Sequence, residues 1–245
     1  MATATLPTRK DEAYRYADLA ALAGVWPVAR EEILVPSGQS TSLSIVEDAA
    51  VEAVARHLVI ELEAGASFDL RILNIGAAFG RIAVDARLGK GASFTFGAAQ
   101  LGTGSQTLEI VTEVSHDAPD AVSRQIVRSV LAGQATGTYL GKVSVARGSV
   151  GTDAEQSVRA MLLSRTATAN AKPELEIFAD DVKCSHGCAV GELDANGLFY
   201  LESRGLTPPE AKRLMLQAFV AEAFSGAVDE EHLQALALER LGVMV

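Results

Sequence analysis

Ala64-Gly65-Ala66-Ser67-Phe68 returns 26 residues later as Lys90-Gly91-Ala92-Ser93-Phe94. The flanks agree as well: Leu62 takes the place of Leu88, and Leu70 that of Phe96. A period in the twenties is the mark of stacked coils, each turning equivalent side chains into a shared interior. Two copies are a weak repeat, and a β-sandwich of similar hairpins would give the same spacing. Spacing alone leaves both folds open.

Outward from this echo, from about Glu31 to Val190, short segments alternate in polarity. Leu58, Ile60 and Leu62 form one such row, Ile82 and Val84 another, and Leu108, Ile110 and Thr112 a third. The 21 glycines and the 5% aromatic content suit short strands joined by tight turns. The pattern predicts a β core over residues 31–192, preceded by a leader (1–30) and followed by a helical domain (193–245). In the leader, Pro7, Tyr14, Tyr16, Leu19 and Leu22 predict an apolar stripe on one short helix starting after Thr8.

The last fifty residues read as helices. Asp194 predicts a cap for a helix through Leu198, Phe199, Tyr200 and Leu201, closed by Gly205 at C′. Thr207-Pro208-Pro209-Glu210 predicts a capping box with proline in the first turn. Leu214, Met215, Ala218 and Phe219 then share a face. Asp229 is expected to cap a third helix carrying Leu233, Leu236, Ala237 and Leu241. Helices this short need the β body, one another or a partner to cover their apolar faces.

The net charge of −10 argues against nucleic acid and against an anionic membrane surface. No apolar run reaches the ~18 residues of a membrane span. Met1 to Lys10 has no apolar stretch of the secretory kind. With only two cysteines a disulfide framework is not expected. A cytoplasmic protein is the expectation, with other proteins as partners.

The sharpest local feature is Asp180-Asp181-Val182-Lys183-Cys184-Ser185-His186-Gly187-Cys188. On a strand, Cys184, His186 and Cys188 share one face. Cys184 and Cys188 then stand roughly 13 Å apart at about 3.3 Å per residue. That is too far for a disulfide or for two thiolates on one ion. Cys184 and His186 are close enough to meet one metal, with the remaining ligands left to a second chain. The same row, flanked by Val182 and Val190, also reads as a buried stripe in which free cysteine is a small apolar residue. Both readings stand on pattern alone.

Other motifs read blandly. Gly137-Thr138-Tyr139-Leu140-Gly141-Lys142-Val143 fails as a phosphate loop: its glycines are too close, and Val143 stands where a hydroxyl should bind magnesium. His116 and Asp117 with Ser115 or Ser123 lack a nucleophile elbow and read as a polar turn before Pro119. His57 and His232 read as surface or packing residues.

From Thr136 to Phe224 the chain resembles the SufB/SufD family of iron–sulfur assembly scaffolds. The resemblance is carried by Gly137–Val145, Thr152–Gln156, Met161–Ser164, Lys172–Ile177, Ala179–Gly187 and Leu198–Gly205, in family order. His116, Pro119 and Ser123 fit the family upstream, and Leu6–Lys10 with Glu12, Tyr14, Tyr16, Asp18 and Leu19 is similar to the start of SufD. This implies a mainly β protein, a right-handed parallel β-helix core with a C-terminal α-helical domain. It implies a scaffold rather than an enzyme, a heterodimer with a SufB-like subunit, and a SufC-like ATPase docked on the C-terminal helices. Arg204, Lys212 and Arg213 are cations available to such a surface. His186, with Cys184 beside it, is expected at a nascent cluster site shared with the partner, holding transient iron or an iron–sulfur cluster, with no cofactor tightly bound. Two departures stand out. At 245 residues the chain is shorter than a typical SufD, so fewer coils are expected. Cys188 stands where alanine is common. The alternative is an interaction module that keeps the interfaces and holds no cluster. A β-helical carbohydrate enzyme lacks support, since Asp180 and Asp181 are the only adjacent acidic pair near the motif and should point to opposite faces.

Overall fold

The computed structural model describes residues 5–245. After a 3-10 turn at Glu12–Tyr14 and helix α1 (Leu19–Ala23), twelve strands follow in sequence. They are β1 (Arg30–Val35), β2 (Ser40–Glu47), β3 (Ala53–Leu62), β4 (Ser67–Asn74), β5 (Phe79–Leu88) and β6 (Ser93–Gly102). Then come β7 (Thr107–His116), β8 (Val122–Leu131), β9 (Thr136–Val145), β10 (Asp153–Leu162), β11 (Thr168–Ile177) and β12 (Lys183–Gly191). Helices α2 (Ala195–Ser203), α3 (Pro208–Ala221) and α4 (Glu230–Gly242) close the chain.

Odd strands pair in the order β1-β3-β5-β7-β9-β11 and even strands in the order β2-β4-β6-β8-β10-β12, so each consecutive pair of strands makes one coil of a six-coil β-solenoid. All pairings are parallel. A β-sandwich of hairpins is excluded, because hairpins pair antiparallel strands.

The sequence echo is a set of direct neighbours. Ser67 pairs with Ser93, Phe68 with Phe94 and Leu70 with Phe96, while Leu62 meets Leu88 in the other sheet. The rings of Phe68 and Phe94 stack with centroids 6.3 Å apart, and Phe96 extends the stack at 6.2 Å from Phe94. The predicted rows point inward: Leu58, Ile60, Leu62, Ile82, Val84, Leu108 and Ile110 are all buried. Each large apolar side chain removed from water contributes roughly 1.5–3 kcal/mol.

The corner before the even strands is fixed by a ladder of left-handed residues. Gly38, Gly65, Gly91 and Asp120 have φ of 69°, 68°, 63° and 63°. Their N–H groups donate one coil onward, to the carbonyls of Ala64, Lys90, Pro119 and Val150 at 2.8–3.0 Å. Asp181 (φ 53°) holds the same kind of corner just before β12. Asp tolerates this region better than most side chains because its short polar group bonds locally.

Helices α3 and α4 lie on the outer face of the even sheet. Leu216, Val220, Phe224, Leu233 and Leu241 join Leu73, Leu101 and Val130 in a second core. At Gly97 a Cβ would stand 1.8 Å from the Ala223 carbonyl, so only glycine admits the end of α3. Arg71 donates to the carbonyls of Ala223 and Ser225 at 2.8 and 3.1 Å, and the buried Arg128 to Glu222 at 3.0 Å. The β body therefore covers the helices that could not stand alone. The Asp194 cap, the Thr207–Glu210 box and Gly205 (φ 97°) occur as predicted. Asp229 begins α4 but makes no side-chain cap; its carboxylate accepts from Ser44 Oγ at 2.7 Å instead.

The leader is not one helix. Asp18 accepts from the N–H groups of Ala20 and Ala21 at 3.0 Å, starting a new helix where the predicted stripe would have run through. The segment lies on the outer face of the odd sheet. There the Arg81 guanidinium sits 4.3 Å over the Tyr14 ring, donates to the Ala13 carbonyl and pairs with buried Glu109.

Candidate functional site

The Cys184–Cys188 motif lies on β12, which pairs with β10 on one side only and forms the terminal edge of the even sheet. Ala154, Gln156 and Val158 of β10 are the register partners of Cys184, His186 and Cys188. All three partners are buried, at 1–2% exposure. Cys184 packs against the solenoid core, so the row has the inward phase. Beyond β12 no further coil covers it, and His186 and Cys188 are exposed while Cys184 is half-buried. The expected buried stripe is thus corrected: Val190 is 48% exposed. The alternation was read correctly, but a terminal coil has solvent where an inner coil has a neighbour.

Lys183 donates its N–H to the Thr152 carbonyl. Alternation along the strand then turns the backbone N–H groups of Cys184, His186 and Cys188 toward the open edge. An edge of this kind accepts a strand from another polypeptide. Burial raises the thiol pKa of Cys184, with the nearby Asp153 carboxylate adding to the rise, and burial does the same to Cys188. The Cys188 thiol rests 3.8 Å from the Ala171 carbonyl of β11. Among the described residues, no group of three or more His, Cys, Asp and Glu side chains is arranged to hold a metal ion. Cys184 and His186 therefore offer one thiol and one imidazole, two residues apart on one face.

Sequence reasoning missed the residues behind this row. Thr112 Oγ lies 3.1 Å from Gln125 Oε1 and 3.0 Å from Tyr139 Oη, inside an otherwise apolar coil. Gly141 makes this arrangement fit, because a Cβ there would lie 2.1 Å from Tyr139 Oη. The glycine that resembled part of a phosphate loop is space for a tyrosine ring. Gln156, next along the solenoid, is 1% exposed with neither amide atom hydrogen-bonded. Gln125, Gln156 and His186 are register partners on β8, β10 and β12, but the later coils are longer than the 26-residue echo, so its period does not align them.

His116 is not in a turn. It ends β7, fully buried, with Nε2 2.9 Å from Ser123 Oγ, and burial pushes its pKa down to about 4. The neutral ring is an interior packing element. His57 meets the Asp85 carboxylate at 2.7 Å on the outer face of the odd sheet, and His232 is exposed on α4. Asp180 and Asp181 lie in the turn before β12, with Asp181 left-handed, so strand alternation does not govern them.

The twelve strands make a parallel solenoid with helices packed on one face and an open edge at β12, and the chain belongs to the SufBD core family. Residues 28–219 match the family described as "SUF system FeS cluster assembly, SufBD core domain". Within the family the similarity points to SufD. The chain is 35% identical over 131 residues to the iron–sulfur cluster assembly protein SufD of Escherichia coli, covering 54% of this chain and 31% of that protein. It is 33% identical over 121 residues to SufD of Bacillus subtilis, covering 49% and 28%. An iron–sulfur cluster assembly SufBD family protein of Synechocystis is 37% identical over 119 residues, covering 49% and 26%. The matched stretch spans about a third or less of each relative. Among the described residues no helix is long and apolar enough to cross a membrane.

Proposed function

We propose that this chain is a SufD-like, non-catalytic scaffold of cytoplasmic iron–sulfur cluster assembly. It pairs through the open end of its solenoid with a SufB-like subunit, and His186 and Cys184 contribute part of a site for a nascent cluster. The observation that carries this reading is the position of both residues on the edge strand β12, which is paired on one side only, inward in phase with His186 open to solvent and Cys184 half-buried. Imidazole and thiolate are both suitable iron ligands. The partner would supply the remainder, and the cluster is cargo rather than a resident cofactor. Directly after β12, α2 has no buried residue and exposes Phe199 (74%) and Tyr200 (56%), with Leu214 of α3 further along the chain also exposed. Exposed aromatics on a short helix suit a SufC-like ATPase surface.

One observation favours a second reading, an interaction module without a cluster. Both thiol pKa values are raised, which disfavours the thiolate that iron would take. Co-expression with SufB-like and SufC-like partners, followed by iron and sulfide analysis, separates the two. The scaffold reading expects bound iron and sulfide that fall when His186→Ala is introduced into an intact complex. Unchanged cluster content in that variant would favour the interaction module.

A further inference from the structure

The outer face of the odd sheet carries two unlike rows across the same five strands. Glu61, Arg87, Ser115, Ser144 and Glu176 are register partners from β3 to β11, and all are polar. Nearer the start of each strand, His57, Ala83, Val111, Leu140 and Lys172 are likewise in register, and the three middle positions are apolar. His57, Ala83, Val111 and Leu140 line a groove of about 400 Å³. The leader forms one wall with Glu12, Ala13 and Tyr14, held by Arg81 on the Ala13 carbonyl and by Lys172 on Glu12 at 2.5 Å. Asp85, Glu113, Lys142 and Glu174, in register with one another, form the other wall.

The groove is acidic. Its two cationic side chains are already paired outside it, Arg81 with Glu109 and Lys142 with Glu176 at 2.5 Å. Asp85 meets His57, and Glu174 meets Lys172 at 3.0 Å. Glu113 stands at the middle of the wall, two residues from Val111 on the same face of β7. Its carboxylate lies 3.8 Å from Lys142 Nζ, beyond hydrogen-bonding range, and its side chain is 53% exposed.

We propose that this groove docks an extended cationic segment of a partner polypeptide, an apolar side chain resting on Ala83, Val111 and Leu140 and a neighbouring arginine or lysine reaching Glu113. Such a side chain lays its aliphatic stem along an apolar floor while its head meets a carboxylate. The charge of the walls and the net charge of −10 both favour a cationic occupant. Three strand steps of ~4.8 Å make the floor about 14 Å long, the span of about four extended residues. The rim side chains Asp85, Glu113 and Glu174 are 42–53% exposed, too open to enclose a small molecule as a ligand pocket does. The groove lies on the sheet opposite β12 and the C-terminal helices, so it does not rest on the shared-site reading.

The test is fluorescence anisotropy with the full chain, using a labelled, end-blocked peptide of alternating arginine and valine as the probe. Saturable binding is expected, weakened roughly twofold to fivefold by Glu113→Gln, the size of one exposed ion pair. Val111→Lys puts a cation on the floor and should weaken binding by roughly tenfold or more, the scale of one lost apolar contact. Glu155→Gln removes an exposed carboxylate from the even sheet and should bind as wild type does. Methyl NMR of the wild-type chain needs no variant to fold: the peptide should shift Ala83, Val111 and Leu140. An arginine–serine peptide of the same charge that binds equally well would overturn the proposal, since the floor would then do nothing. Absence of binding, unmoved methyl signals, or equal affinities in Glu113→Gln and Glu155→Gln would overturn it too. His186→Ala should leave peptide binding unchanged, which keeps this outcome separate from the cluster measurement.

Discussion

Val158 and Cys188 are register partners on adjacent strands with the same inward phase, yet Val158 is 2% exposed and Cys188 is open to solvent. The contrast comes from position in the stack rather than residue type. It makes the last coil the chemically available one, and it sets what the two cysteines can do there.

Their reactivity has a defined pH dependence. Burial raises both thiol pKa values, so less thiolate is present at neutral pH than in free cysteine. Alkylation of single-cysteine variants should therefore rise through a midpoint above ~8.5. The more exposed Cys188 should react faster than Cys184. A midpoint well below that of free cysteine, followed by rate against pH, would contradict the burial assigned to these thiols.

Two glycines should fail for different reasons. Gly91 has φ 63° with nothing within 4 Å of an added Cβ, so Gly91→Ala should cost only the left-handed penalty of about 1–2 kcal/mol. Gly141→Ala forces the Tyr139 ring aside, breaking the bonds to Thr112 and Gln125, and should cost about 1–3 kcal/mol. In urea titrations, adding Tyr139→Ala should recover part of the second loss relative to additivity and none of the first.

The helices on the even sheet depend on one missing side chain. Gly97→Val places carbon where the Ala223 carbonyl lies, and a backbone atom cannot step aside cheaply. The end of α3 should lift, and limited proteolysis should release the C-terminal helices faster than in wild type while the solenoid resists. Equal cleavage rates would show that Gly97 does not hold α3 in place.

Phe94 and Phe199 separate stability from interaction. Phe94 is stacked between Phe68 and Phe96, so Phe94→Ala should cost about 3–5 kcal/mol by denaturant unfolding. Phe199 is 74% exposed, so Phe199→Ala should change stability by no more than about 0.5 kcal/mol. The same variant should weaken binding of a SufC-like ATPase, measured by calorimetry.

The coil architecture was legible because Phe68 and Phe94 repeat at the length of one coil, and neighbouring coils must offer matching residues to a shared interior. The repeat faded afterwards for a physical reason: corners beyond Gly91 use Asp120, and Ser93 pairs with Val122, so coil length and corner residue both change. The leader was misjudged because stripe spacing does not reveal the Asp18 side chain restarting a helix. Cys184 and His186 were legible as neighbours on one strand face, but their exposure was not, since alternation gives phase and cannot say which coil is last. Gln156 was invisible because a buried amide has no local signature.

The most direct test of the account is amide hydrogen exchange over β12 in the isolated chain and in the complex with a SufB-like subunit. The account predicts fast exchange at the edge-facing amides of Cys184, His186 and Cys188 in the free chain, and slow exchange once a partner strand covers them. Equally fast exchange at these three amides in an assembled complex would mean that the open end of the solenoid is not where the second polypeptide binds.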